Sequence, residues 1–164
     1  MKLLIFAVIL LHVSFPLCSK TIHVGAGFPV RQIQAAIRQA HAGDTVMVHG
    51  GVYKEGNLLI DKSLVVLGKN YPVLDGQKKF EVVSIKANQV VFDGFRVQHS
   101  GFASLDDPGA IKVYNGHHLT ISNNILEDNF FGIYIQYGKN CLIKNNQIRA
   151  YGKEEQQIGN GIHC

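Results

Sequence analysis

The order of hydrophobic and polar positions divides the chain shortly after residue 40. Between residues 31 and 41, apolar residues recur at spacings of three and four, which predicts an amphipathic helix of about three turns. These apolar residues are Ile33, Ala36, Ile37 and Ala40. From Asp44 onward the apolar and polar residues alternate, and no helical pattern recurs. The sequence therefore predicts one helix followed by β-strands, the first of them at residues 45–49.

A 22-residue repeat dominates the second half of the chain. Residues 113–124 (VYNGHHLTISNN) align without a gap with residues 135–146 (IQYGKNCLIKNN), so that Ile121 is opposite Ile143. A repeat of this length that is rich in β-branched residues and carries no helix is typical of a parallel β-helix. We therefore predict an all-β, right-handed, single-stranded parallel β-helix with one N-terminal capping α-helix.

Weaker copies of the repeat surround these two. Residues 83–94 align with the first copy at an offset of 30, and residues 64–68 lie a further 26 back. Residues 161–163 restart the pattern of residues 132–134. Together the copies predict about five turns, with loops inserted at two corners.

The paired asparagines of the repeat have a structural interpretation. They are Asn123, Asn124, Asn145 and Asn146. Asn tolerates the left-handed backbone of a tight bend, and stacked Asn amides can bond from one turn to the next. We predict that these four residues form a structural Asn ladder.

Three segments follow from this pattern. Residues 1–19 combine a positive end with an apolar run and a small-residue site, as a secretory signal peptide does. Residues 20–43 hold an extended segment and the capping helix, and residues 44–164 hold the repeats. Because the last repeat stops at Cys164 without a cap, we expect the repeats to be truncated at the C-terminus. The signal indicates a periplasmic or secreted protein, and Cys18 leaves a lipid anchor open.

Composition narrows the functional classes further. The net charge is +4, and the lysines are scattered rather than clustered on one face, so we expect no nucleic acid partner. Cys18 would leave with the signal, and Cys141 has the position that Leu119 has one repeat earlier, so a buried apolar thiol is expected in a strand there. The three cysteines, with Cys164 as the third, have neither the spacing of a zinc finger nor that of a disulfide framework.

Several segments resemble a known family. Residues 43–46 (GDTV), 51–53 (GVY) and 72–76 (PVLDG) are similar to the first turns of many secreted β-helix proteins. Residues 99–111 (HSGFASLDDPGAI) and 126–135 (LEDNFFGIYI) resemble the NosD family more specifically. So does the terminal GNGIH, although NosD proteins usually continue with Leu-Trp and further turns.

The NosD resemblance implies a function. It implies a periplasmic accessory protein that works with ABC transporter subunits in maturing a copper enzyme, nitrous oxide reductase. The implied partners are those subunits and a copper enzyme or copper chaperone, and the implied cofactor is copper. Carbohydrate binding or polysaccharide cleavage, which many β-helix proteins perform, is the alternative.

The residues themselves give little support for catalysis or for a metal site. A glycosidase needs two carboxylates ~5–9.5 Å apart across the scissile bond. The candidates are Asp75, Asp93, Asp106, Asp107, Glu127 and Asp128, and none forms a recurring pair. We therefore expect no enzymatic activity.

Metal ligands are present but scattered. The candidates for copper are His23, His41, His49, His99, His117, His118, His163 and Met47. Only Met47 and His49 share one face of a predicted strand, two residues apart. The sequence leaves open whether any of them binds a metal.

A binding scaffold is the third interpretation and needs no catalytic set. Stacked turns present flat faces, and the aromatic residues Phe102, Tyr134 and Tyr137 could contact a sugar or a protein partner there.

Overall fold

The computed structural model describes residues 19–102, 107–151, 159 and 161–164. The predicted signal peptide, with Cys18, lies outside the described residues apart from Ser19. So do Asp106 and residues 153–158, where the repeats predict the second inserted loop. Within the described ranges, no helix is long and apolar enough to cross a membrane. The elements in chain order are β1 (Thr21–Val24), α1 (Ile33–Gln39), β2 (Thr45–His49), β3 (Val52–Tyr53), β4 (Leu58–Ile60), β5 (Val65–Lys69), β6 (Val73–Asp75), β7 (Val83–Ile85), β8 (Val91–Asp93), β9 (Arg96–Gln98), β10 (Gly109–Tyr114), β11 (Thr120–Ser122), β12 (Ile125–Glu127), β13 (Phe131–Gln136), β14 (Leu142–Lys144), β15 (Gln147–Arg149) and β16 (Ile162–His163).

The strands form three parallel sheets, which we call sheets A, B and C. In the described part of the chain, sheet A contains β1-β2-β5-β8-β11-β14 in spatial order. Sheet B contains β3-β6-β9-β12-β15, and sheet C contains β4-β7-β10-β13-β16. Each turn of the chain adds one strand to each sheet, so the five strands of sheets B and C correspond to five turns. The predicted all-β parallel β-helix with a single helix is confirmed.

The strand register confirms the 22-residue repeat. Ile121 is the Cα partner of Ile143 in sheet A, and Leu126 is the partner of Ile148 in sheet B. The restart of the repeat near the end is also confirmed, because Ile162 pairs with Ile133 in sheet C. Equal spacing in all three sheets means that this turn has the same length at every corner.

The predicted offset of 30 for the preceding turn was wrong. Phe92 pairs with Ile121, an offset of 29, and Ile85 pairs with Val113, an offset of 28. Side chains alternate between the two faces of a strand, so a shift by one residue exchanges the faces. Phe92 is 1% exposed, whereas Val91 is half-buried, and the inward position therefore belongs to Phe92. The offset of 26 further upstream is confirmed by the pairing of Val65 with Val91.

The interior is a stack of apolar side chains, one from each turn. In sheet A the buried residues Val46, Val66, Phe92 and Ile121 follow one another in register. Ile143 continues this ladder but is only half-buried. Burial of such side chains contributes about 1.5–3 kcal/mol each.

Cys141 differs from its predicted placement. It lies immediately before β14 instead of within a strand, and its side chain is half-buried against the core. Its thiol is 3.6 Å from the carbonyl oxygens of Gly116 and Lys139. Cys141 and Cys164 are both free thiols.

The helix is shorter than predicted. α1 covers Ile33–Gln39 because Gln32 and Ala40 both have extended backbone angles. Its buried face, formed by Ile33, Ala36 and Ile37, joins the core beside β1, β2 and β4. The side chain of Gln32 does not cap the helix. Instead, the carboxylate of Glu55 accepts hydrogen bonds from the backbone N–H groups of Ile33 (2.8 Å) and Gln34 (3.1 Å).

Asp44 ties the N-terminal strand to the end of the helix segment. Its carboxylate accepts hydrogen bonds from the backbone N–H groups of Lys20 (3.0 Å) and His41 (2.8 Å). These two bonds hold the pKa of Asp44 below its ordinary value of 3.8, because they favour the charged carboxylate. Because folding lowers this pKa, the charged carboxylate stabilises the fold at pH values above the ordinary pKa of 3.8. The stabilisation is lost as the pH falls through the lowered pKa.

We predict that Asp44→Asn removes part of this pH dependence. At neutral pH the variant should melt a few degrees below the wild type, because the two bonds go to different carboxylate oxygens and an amide replaces one of these oxygens by an NH2 donor. As the pH falls below 4, the two melting temperatures should converge. Thermal unfolding followed by circular dichroism between pH 2 and 7 measures this, and a constant difference across that range would contradict the assigned role.

Candidate functional site

The predicted Asn ladder contains two kinds of asparagine. Asn123 and Asn145 are exposed and have a left-handed backbone, each with φ of 55°. Asn124 and Asn146 point towards the turn interior, where the Oδ1 atom of Asn146 accepts bonds from the backbone N–H and the Nδ2 of Asn124, both 3.0 Å long. The first pair thus permits the bend, and the second pair bonds one turn to the next.

An open groove of about 600 Å³ lies on the outer face of sheet C. Its floor is a row of outward side chains that are Cα partners across three strands: Ser84 of β7, Lys112 of β10 and Tyr134 of β13. A second row is formed by Tyr114 and Gln136, which are also partners. The stacking of the turns therefore places these polar and aromatic side chains side by side on the outer face, just as it stacks apolar side chains inside.

A partly buried polar network joins the floor of the groove. Glu81 lies at its centre: its carboxylate accepts a 3.0 Å bond from the Tyr114 hydroxyl, contacts the Ser84 hydroxyl, and lies 3.9 Å from the Lys112 ammonium. The Lys112 ammonium also lies over the rings of Tyr114 and Tyr134, at 5.2 and 4.9 Å from their centroids. Lys112 is only 7% exposed, so its charge is stabilised by the carboxylate and by the two aromatic faces.

Two loops form the walls of the groove. One contributes Lys79 and Phe80, and the other contributes Phe102, Asp107 and Pro108. The side chains of Phe80 and Phe102 are 39% and 68% exposed, so both walls offer free aromatic surface. The groove thus combines polar groups on its floor with exposed aromatic rings on its walls.

A family comparison matches this architecture. The sequence profile of the right-handed β-helix region matches residues 52–164, which is more than half of the chain. The chain belongs to the right-handed β-helix family. No curated protein and no solved structure matches the chain significantly. The family match extends over all the strands that build the groove floor.

Sequence reasoning found only part of this β-helix groove. The predicted contact residues Phe102 and Tyr134 line it, whereas Tyr137 is 77% exposed and lies elsewhere. Glu81, Lys112 and Tyr114 were missed. One signal was available: Lys112 and Tyr114 alternate with the inward residues of β10, so both had to lie on the same outer face as Tyr134.

Among the predicted carboxylates, Asp107 alone of the described ones lines the groove. The others have separate partners: Asp75 contacts His99, Glu127 pairs with Arg96, and Asp93 accepts bonds from Ser122 and Asn123. These pairings are structural links between neighbouring turns of the β-helix. The expected absence of enzymatic activity stays a prediction.

His99 bridges two carboxylates at the corner that follows β9 of sheet B. Its Nδ1 atom lies 3.0 Å from Asp75 Oδ1, and its Nε2 atom lies 3.8 Å from Asp128 Oδ2. Burial raises the pKa of Asp75, but the hydrogen bonds from the Gln77 backbone N–H and from His99 outweigh this effect and leave the pKa below its ordinary value. His99 thus links the carboxylates of Asp75 and Asp128, which belong to the turns before and after its own.

Among the remaining predicted metal ligands, one pair of histidines makes direct contact, and the other histidines each have different neighbours. The imidazole of His41 lies 3.8 Å from the Asp44 carboxylate, His118 is exposed on a left-handed turn, and His163 packs edge-on against Tyr134. The backbone of His117 forms an isolated parallel β-bridge with that of Lys139. Among the described residues, no three His, Cys, Asp or Glu side chains form a group that could hold a metal ion.

The pair is His23 with His49, which sequence reasoning did not connect. The two imidazoles meet on the outer face of sheet A, with His23 Nδ1 and His49 Nε2 3.0 Å apart. Met47 lies on the same face, because it is the Cα partner of His23. A set of two imidazoles and a thioether has the donor chemistry that copper(I) prefers.

Proposed function

We propose that this right-handed β-helix protein binds a carbohydrate in the groove of sheet C. The observation that carries the proposal is the combination of exposed aromatic walls, Phe80 and Phe102, with a hydrogen-bonding floor. A sugar ring has an apolar face of C–H groups and a rim of hydroxyls. Aromatic rings pack against the first, and polar side chains bond to the second.

The size and shape of the groove support this ligand class. Its volume of about 600 Å³ lies within the range of small-molecule sites, ~300–1,000 Å³. The groove is open along the stacked turns, which suits an extended chain of sugars. Asn57 and Gln136 line it with amides, and amides both donate and accept hydrogen bonds.

Binding fits the floor better than cleavage does. The Glu81 carboxylate already accepts a hydrogen bond from Tyr114, contacts the Ser84 hydroxyl and lies beside the Lys112 ammonium, so its contacts lie within the floor of the groove. We therefore propose a carbohydrate-binding protein without glycosidase activity, which acts as an exported or periplasmic protein.

The proposed carbohydrate site is tested by probing a glycan array with the whole chain and with its Phe102→Ala variant. We expect binding of defined oligosaccharides, and we expect Phe102→Ala to weaken it roughly ten-fold, because one stacking face is lost. Tyr137→Ala is the matched control, since it removes an exposed aromatic ring that lies outside the groove. Equal affinity of Phe102→Ala and the wild type would contradict the proposed site.

The second candidate is the accessory function implied by the NosD resemblance. In this function the chain would work with ABC transporter subunits and a copper enzyme or copper chaperone in the maturation of nitrous oxide reductase. The observation that favours it is the set His23, His49 and Met47 on one face of sheet A. This function requires copper binding, so a chain that does not bind copper would rule it out.

A further inference from the structure

The outer face of sheet A carries two histidines whose ring nitrogens face each other. His23 lies in β1 and His49 in β2, 26 residues further along the chain. Their Nδ1 and Nε2 atoms are 3.0 Å apart. The parallel pairing of the two strands fixes this approach, since β1 and β2 are in register over four residues.

Met47 is the third donor on this face. In β2 the residues Val46 and Val48 point inward and are fully buried, so Met47 and His49 point outward together. Met47 is the Cα partner of His23, and parallel strands lie about 4.8 Å apart. The Met47 thioether therefore extends from the strand position beside His23, two residues before His49.

An aromatic ring packs beside both imidazoles. The ring of Phe28 lies 5.2 Å from the His23 ring and 4.2 Å from the His49 ring, measured between centroids. The two imidazoles and the phenyl ring thus form one cluster on the outer face of sheet A.

We propose that His23, His49 and Met47 bind one copper(I) ion on the outer face of sheet A. Imidazole alone would suit zinc and copper equally, but a thioether ligand selects copper(I). Metal–nitrogen bonds of about 2.0 Å place two ligating nitrogens about 3.3 Å apart on a tetrahedral ion. In the structure the two nitrogens are 3.0 Å apart and share a hydrogen bond, so the ion replaces the shared proton and both rings turn their lone pairs towards it. The site lies on a different sheet from the carbohydrate groove, and it rests on the second candidate function, whose copper it places on three named residues.

The test is an anaerobic titration of the whole chain with copper(I) in competition with a chromophoric copper(I) chelator. We expect one ion per chain, and we expect His23→Ala and His49→Ala each to weaken binding roughly 100-fold. Met47→Leu keeps the side-chain volume, so it should weaken copper(I) binding roughly ten-fold and leave binding of zinc(II) unchanged. His118→Ala is the control for an exposed histidine outside the site.

Three results would overturn the proposal. They are no one-to-one copper(I) binding, retention of binding in His49→Ala, and equal copper(I) affinity of Met47→Leu and the wild type. The melting temperature of each variant separates loss of the site from loss of the fold. Glycan binding by the same variants separates this proposal from the groove, because sheet A changes should leave glycan affinity unchanged.

Discussion

Replacing Ile121 by Asp is expected to abolish cooperative folding. Ile121 is fully buried in the inward ladder of sheet A, between Phe92 of the preceding turn and Ile143 of the next. A carboxylate there would be buried without a partner, and we expect a loss of at least about 5 kcal/mol, comparable to the whole stability of a small domain. Circular dichroism and thermal melting measure the result.

The same strand position on the next turn gives a graded comparison. Ile143→Asp should destabilise the fold less than Ile121→Asp, because Ile143 is only half-buried. Leu142→Asp is the matched control, since Leu142 is its neighbour in β14 but is 50% exposed. A soluble and cooperatively melting Ile121→Asp protein would show that the inward ladder is assigned to the wrong face.

Replacing Asn124 by Ala is expected to destabilise the fold by about 2–4 kcal/mol. The side chain of Asn124 is fully buried, and its Oδ1 atom accepts the backbone N–H of Phe95 at 2.9 Å. Its Nδ2 atom donates to the Phe92 carbonyl at 3.3 Å and to Asn146 Oδ1 at 3.0 Å. Alanine leaves the Phe95 N–H without this acceptor and removes one donor from the Phe92 carbonyl and one from Asn146, which keeps its bond from the backbone N–H of residue 124. Urea unfolding gives the free energy of unfolding directly.

Asn88→Ala is the matched control for this prediction. Asn88 also accepts a backbone N–H, that of His117 at 2.9 Å, but the bond is exposed and water can replace the side chain. We expect a loss below about 1 kcal/mol there. Similar losses at Asn88 and Asn124 would mean that the buried amide contacts do not stabilise the turns.

The repeat could be predicted where two turns have the same length at every corner. Between residues 113–124 and 135–146 the chain has no insertion, so one offset of 22 applies to all three sheets. One turn earlier the offset is 28 in sheet C and 29 in sheets A and B. A single alignment could not represent both values, and the predicted offset of 30 places Val91 instead of Phe92 opposite Ile121.

The helix ends could not be predicted because they depend on distant contacts. Apolar spacing identified the buried face of α1 correctly, with Ile33, Ala36 and Ile37 in the core. Its first turn is instead fixed by Glu55, a residue that follows β3 and has no local relation to the helix. Local sequence patterns do not contain such a capping contact.

The candidate site was harder to predict than the fold for the same physical reason. Its floor combines Ser84, Lys112 and Tyr134 from three different turns, and the stacking register alone brings them together. Lys112 has the sequence appearance of an ordinary surface lysine, but the loops beside sheet C bury it against Glu81. The His23–His49 pair was missed because it requires the register of β1 against β2.

The most direct test of the proposed function is NMR mapping of a bound oligosaccharide on the whole chain. The account predicts that the aromatic signals of Phe102, Tyr114 and Tyr134 shift on titration, whereas those of Phe28 on sheet A remain unchanged. Shifts confined to residues outside the groove, or no shift with any glycan that the array identifies, would contradict carbohydrate binding at sheet C.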